Sequence, residues 1–259
     1  MSYFDAIILG IVQGLTEFLP ISSSGHLVLC EHLLNAKMPG VVFELIVHVG
    51  TLLSVLVYFR RRIARLILSI FDKSMINERS TLIYLIIGTI PAVIVGILLD
   101  KIIEQAFVSP LLTSLMLIVT GLILLGTSFV QKGERGIKPP NALLIGLAQA
   151  LAIFPGISRS GATISMGLFA GVKPIVAAEF SFLLSIPVII GAVVFKTGDI
   201  VSVNTALLGH YMLGAVLSFI FGLLAVHFLL SMIKKGRFKY FGIYCLMVGI
   251  FGIIYFAWT

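Results

Sequence analysis

Charge is what this sequence has least of. Only 11% of its 259 residues are Asp, Glu, Lys or Arg, against 59% hydrophobic, whereas a soluble domain carries about a quarter charged residues. That scarcity excludes a disordered chain and a soluble domain of ordinary surface. Cysteine is nearly absent: Cys30 and Cys245 stand far apart in apolar runs, with no CxxC spacing and no His cluster nearby. This removes a disulfide-stapled module, a zinc site and a redox pair, and both thiols read as small buried hydrophobes. The opening Met1-Ser2-Tyr3-Phe4-Asp5 has an acid and no base. A signal peptide begins with bases, so the first apolar segment is expected to be retained. Acids are outnumbered 11 to 18, which leaves a charge of +7. In so apolar a chain that excess is a matter of topology rather than of nucleic-acid binding.

What is present in quantity is apolar sequence. A bilayer crossing needs about 20 apolar residues, and segments of this kind lie near 6–34, 41–59, 81–99, 111–131, 141–171, 177–195, 205–230 and 238–257. The chain therefore reads as one all-α integral membrane domain. Two segments cannot be single helices. Leu19-Pro20-Ile21-Ser22-Ser23-Ser24-Gly25-His26 interrupts the first, and Phe154-Pro155-Gly156-Ile157-Ser158-Arg159-Ser160-Gly161 the fifth.

The interruptions are copies of each other. A shift of 136 positions sets Gly10, Gln13, Leu15, Phe18, Ile21, Ser22, Ser24 and Gly25 on Gly146, Gln149, Leu151, Phe154, Ile157, Ser158, Ser160 and Gly161. Two repeats follow, about 1–136 and 137–259. If all eight segments cross, the loop bases divide ten against seven. If the two broken segments dip in and return, fourteen fall on one side, and only Lys37, Lys101 and Lys196 on the other. By the positive-inside rule the fourteen are cytoplasmic, with six transmembrane helices, two re-entrant hairpins and both termini outside. Three crossings per repeat make the halves inverted. Irregular backbone at membrane depth needs protein or water to satisfy it, so the two tips are expected to meet and line a polar cavity.

The tips carry the chemistry. Gln13 and Glu17, four apart, share a helix face, and their oxygens suit a hard divalent cation, Mg²⁺ or Ca²⁺. Ser22, Ser23, Ser24 and Gly25 before His26 look like a helix N-terminus, which binds anions. His26 is a candidate base, acid or nucleophile. Ser158, Ser160, Gly161 and Thr163 repeat the capping residues, with Arg159 where the first tip has Ser23. Arg159 is the one base inside a membrane segment, and its fork matches phosphate oxygens. Its bland reading is a salt bridge to Glu17 or Glu179. Glu44 and His48, one turn apart, and Glu179 are either residues that orient the site from behind or satisfied buried groups. His32, His210 and His227 read as structural. Trp258 and Tyr255 fit an interfacial aromatic belt.

Gln13-Gly14-Leu15-Thr16-Glu17 with Pro20-Ile21-Ser22-Ser23-Ser24-Gly25-His26, and Pro155 to Thr163, resemble the two signature motifs of the bacitracin-resistance family of undecaprenyl-diphosphate phosphatases. The resemblance runs the length of the chain, through Phe43 to Thr51 and Glu179 to Leu184. It implies hydrolysis of undecaprenyl diphosphate to undecaprenyl phosphate and inorganic phosphate in the bacterial inner membrane. That reaction recycles the lipid carrier of peptidoglycan synthesis and confers bacitracin resistance. The resemblance further implies divalent-metal dependence and an active site open to the periplasm. Some relatives carry Glu where this chain has Gln13, so Glu17 is the acid expected to act.

The resulting expectation places the diphosphate between the tips, bound by Arg159, Ser22, Ser24, Gly25, Ser158, Ser160, Gly161 and Thr163. Ser23 attacks with His26 as base, or His26 activates water. Membrane lipids are the other expected partners, nucleic acid is not one, and a homo-oligomer stays open. The alternative is a transporter or flippase of a phosphorylated polyprenyl lipid, which the same architecture would suit. The lipid tail needs an apolar opening that no motif identifies.

Overall fold

A computed structural model describes residues 1–34, 41–131, 133–196 and 205–258, so Lys37 and Lys132 of the charge count lie outside the described residues. Within these, the first broken segment is α1 (Tyr3–Phe18) and α2 (Ser23–Leu34). Leu19 turns to an extended ψ of 142°, as the residue before a proline does, and α1 ends there. Further helices are α3 (Val41–Tyr58), α4 (Arg60–Phe71), α5 (Ile76–Leu98), α6 (Asp100–Phe107) and α7 (Pro110–Gly126). The second broken segment is α8 (Pro139–Leu151) and α9 (Arg159–Phe169), followed by α10 (Pro174–Phe195), α11 (Leu208–Lys234) and α12 (Lys239–Ala257). The described residues form no β-strand, only an isolated bridge between Arg135 and Val172.

Among the described residues five helices are long and apolar enough to cross a membrane: α5, α7 with its extension to Phe129, α10, α11 and α12. A sixth span results if α3 and α4, bent by 78° at Phe59, count as one. This is an all-α membrane fold with five or six candidate crossings against the six expected, and both interrupted segments are helix–break–helix units.

Contacts distinguish two ends. At one, Arg62 bonds to Glu179 at 2.8 Å and Glu78 at 3.3 Å, and Lys173 pairs with Glu134 at 3.0 Å. Glu179 and Lys234 border one small cavity there, and Pro174 and Lys239 border another. At the far ends of α11 and α12, Tyr3 stacks on His210 at 3.9 Å and His32 meets the edge of Phe256. The α1–α2 unit thus has its open end away from the basic cluster. The α8–α9 unit has its own open end beside it, where Arg135 bridges to Val172.

The two units are seated by glycine. α1 packs along α11, and α8 along α5. Gly10 lies on the Gly214 backbone and its repeat partner Gly146 on that of Gly88, so close that a Cβ would come within 2.7 Å and 2.5 Å of the facing carbonyl oxygens. Backbone approach of this kind is how membrane helices pack without a hydrophobic driving force. Gly146→Ala should therefore destabilise the fold by about 1–3 kcal/mol, the usual range for overpacking. Gly191→Ala, with nothing within 4 Å of its Cβ, should leave the melting temperature in detergent unchanged or higher. Equal melting temperatures for the two variants would show that the α5–α8 contact can relax.

Candidate active site

The tips meet as the repeat leads one to expect. Ser160 Oγ donates to the Leu19 carbonyl at 3.1 Å, and a Cβ on Gly25 would sit 3.0 Å from Gly156 Cα. Each tip is capped in the same way. Ser22 Oγ accepts from Gly25 N at 3.2 Å and Ser158 Oγ from Gly161 N at 3.0 Å. In both, the capping hydroxyl lies 3.3 Å from the serine two residues on. Thr120 of α7 fastens the second tip, donating to Gly156 O at 2.8 Å and accepting from Ser158 N at 3.0 Å.

Between the tips lies Glu17, in the last turn of α1 and 7% exposed. Its Oε1 accepts from Arg159 Nη2 at 2.5 Å. Its Oε2 accepts from Ser23 Oγ at 2.5 Å and Gln13 Nε2 at 3.1 Å, with His48 Nε2 3.5 Å away. Arg159 is oriented from behind by Ser181 O at 3.3 Å, while Thr163 bridges Arg159 O at 2.7 Å and Ser181 Oγ at 2.6 Å. Glu17, Ser22, Ser23, Ser24, Ser158 and Arg159 face a cavity of about 260 Å³. Glu44, His48 and Gln149 complete its polar wall.

Several expected residues sit elsewhere. His26 is not on the cavity. Its Nδ1 lies 2.7 Å from Ser22 O, a group that only accepts, so Nδ1 carries the proton; Nε2 faces the Tyr244 hydroxyl at 2.9 Å. Neither nitrogen is left for Ser23. His26 instead pins Ser22, the one described non-glycine residue at positive φ (70°), a conformation that costs about 1–2 kcal/mol. Of the two readings of Glu179, orienting the site fails and a satisfied group holds: it pairs with Arg62 at the basic end, because it lies near the start of α10, below Ser181. Glu44 and His48 do face the cavity, and His48 Nδ1 bonds to the Glu44 carbonyl at 2.7 Å rather than to its carboxylate. Ser160, Gly161, Thr163 and Gly25 join the tips or brace Arg159 instead of facing the cavity.

A divalent cation was expected at Glu17 and Gln13. Gln13 Oε1 is buried with no hydrogen-bond partner, and the Glu17 carboxylate orients the amide so that this oxygen faces away from it. That oxygen therefore does not converge with the carboxylate on one ion, and Gln13 does not border the cavity; the Glu17 carboxylate alone fits a hard cation that takes its other ligands from phosphate and water. No three His, Cys, Asp or Glu side chains converge among the described residues.

Sequence reasoning missed Thr120, Ser181 and Tyr244, and saw Gln149 only as a repeat identity. Thr120 and Ser181 were detectable as hydroxyls inside apolar runs. Tyr244 carried no signal.

A family model described as bacitracin resistance protein BacA matches residues 6–251. An undecaprenyl-diphosphatase of Korarchaeum cryptofilum is 44% identical over 260 residues, covering 96% of this chain and 98% of the relative. Those of Alteromonas mediterranea and Syntrophotalea carbinolica are 43% and 42% identical, each covering 96% of this chain and 97% of the relative. With nearly its whole length matched, the chain belongs to the bacitracin resistance protein family.

Proposed function

We propose that this protein hydrolyses undecaprenyl diphosphate to undecaprenyl phosphate and inorganic phosphate. The observation that carries the reading is the Ser23 hydroxyl donating to a buried carboxylate that is itself paired with Arg159. A hydroxyl on a base, next to a guanidinium, is the equipment of nucleophilic phosphoryl transfer. The names of the relatives agree with it.

The diphosphate enters the cavity and competes with Glu17 for Arg159. As the guanidinium turns to the phosphate oxygens, Ser23 Oγ attacks the terminal phosphorus and Glu17 Oε2 takes its proton. The bond from phosphorus to the bridging oxygen breaks, and undecaprenyl phosphate leaves. Water then attacks the phosphoserine phosphorus, the Ser23 Oγ–P bond breaks as Glu17 returns its proton to Oγ, and inorganic phosphate leaves with the protons of the water. The base assigned here is Glu17 rather than His26, because Glu17 is the group on Ser23. Ser22, Ser24 and Ser158 supply hydroxyls to the phosphates, and Glu17 would hold a cation completed by phosphate oxygens and water. Bound there, Mg²⁺ or Ca²⁺ would neutralise diphosphate charge.

The inverted arrangement of the halves, the bacterial inner membrane and a periplasmic site belong to the same proposal. Opposite open ends of the two broken units and the clustering of bases at one end support it.

Glu17→Gln should lower phosphate release by about 10²–10⁴, the range for a lost general base. Arg159→Lys should not restore the activity lost in Arg159→Ala, since an ammonium cannot make the two-pronged contact. Phosphate release by purified protein checks both, and near-wild-type turnover in Ser23→Ala would remove the serine nucleophile. Chelation should suppress turnover, and added Mg²⁺ or Ca²⁺ should recover it.

A further inference from the structure

A second cavity, about 430 Å³, lies between α4, α5 and α10. On α5 its wall is a single stripe, Leu82, Leu85, Ile86, Thr89, Ile90 and Val93, the i, i+3, i+4 spacing of one helix face. Its one hydroxyl, on Thr89, is turned back to the Leu85 carbonyl at 2.7 Å, so the surface is apolar throughout. The polar cavity and this groove are neighbours on both helices. Ala92 faces the first and Val93 the second on α5; Val188 faces the first and Pro187 the second on α10. From Ile94 the groove descends to Leu82, toward the end where Arg62 pairs with Glu179. At 1.5 Å per residue that path is about 18 Å, more than half of a hydrocarbon core of about 30 Å.

We propose that this groove holds the polyprenyl tail of the substrate while the diphosphate occupies the polar cavity; the proposal rests on the phosphatase reading. Away from the tips the cavity is itself walled by apolar side chains, among them Leu27, Leu45, Phe107, Ile153 and Ile189. A tail leaving the diphosphate therefore meets apolar wall at the α5–α10 seam, where adjacent residues on each helix line the two compartments. The isoprenoid chain has no polar atom, which matches a wall whose only hydroxyl is satisfied internally. Units beyond the groove would lie in the bilayer.

The test narrows the groove away from the chemistry. Ile86→Trp on α5 and Ile67→Trp on α4 alter exposed groove residues, 62% and 53% accessible, and touch none of the site. Leu122→Trp on the lipid face of α7, 58% accessible, is the control. Phosphate release is measured in bilayer nanodiscs with undecaprenyl diphosphate and with dimethylallyl diphosphate, whose single prenyl unit stops short of Ile86, about 10 Å along α5 from Val93. Both groove variants should raise KM for the long substrate about tenfold, the loss expected when contact worth about two methylenes is displaced. Turnover of dimethylallyl diphosphate should be unchanged, as should both substrates with Leu122→Trp. Equal losses on both substrates, or none on either, would overturn the assignment. If wild-type protein releases phosphate from neither, the phosphatase reading falls and the groove assignment with it.

Discussion

The ion pair between Glu17 and Arg159 ties the two halves of this protein together. Both side chains are largely buried, 6% and 13% exposed, and removing charges from water costs several kcal/mol each. Such a pair is a poor source of net stability, but its loss on one side is severe. An uncompensated partner costs about 3–5 kcal/mol. Everything around it serves that geometry: Gln13 and Ser23 fill the remaining carboxylate oxygen, Ser181 and Thr163 brace Arg159, and Thr120 and His26 fix the loops. A guanidinium kept oriented and partly desolvated can meet a second anion without rebuilding its surroundings, which is the basis of electrostatic preorganisation.

The pair sits where two tips of matching sequence and capping meet. The two tips share the capping serine, the serine two residues on and the capped glycine, with nearly equal hydrogen-bond lengths. They differ at the residue between, Ser23 in one and Arg159 in the other. The helix termini supply the same backbone frame twice. One divergent position then turns a symmetric pocket into one with a hydroxyl on one side and a cation on the other. The buried amides Gln13 and Gln149 repeat as well, each with an unpartnered carbonyl oxygen.

What could be read from the sequence follows from how local each signal is. The helices and both breaks came from hydropathy and from Pro20 and Pro155, which act within a few residues, and the meeting of the tips from a repeat that matches them position by position. Of the bases sorted between two sides, Arg62 pairs with Glu179 near one end of α10 and Lys196 with Asp100 and Glu104 at the other. The role of His26 was not legible. Its spacing beside three serines is equally that of a residue bonding back to the carbonyl four positions earlier, and only Tyr244, 218 residues away, takes its other nitrogen. Glu179 failed for the same reason: an acid in an apolar run gives no sign of which end of the bundle its partner occupies. The tail groove could not be nominated at all, because apolar residues dominate every span and only the packing of α4, α5 and α10 makes some of them concave.

Groove and cavity also divide the energetics of the reaction. Hydrolysis removes a phosphate and leaves the isoprenoid chain unchanged, so contacts to the tail are the same in substrate, transition state and product. Uniform binding of that kind lowers KM and does not raise kcat. Selection for the transition state has to come from groups that feel the changing charge, which here are Arg159, Ser23 and Glu17. Because Glu17 holds Arg159 when no phosphate is present, loss of the cleaved phosphate lets the ion pair re-form. In the proposed mechanism the carboxylate that accepts the serine proton is thus also the competitor that helps clear the guanidinium between turnovers, so that one residue couples chemistry to product release.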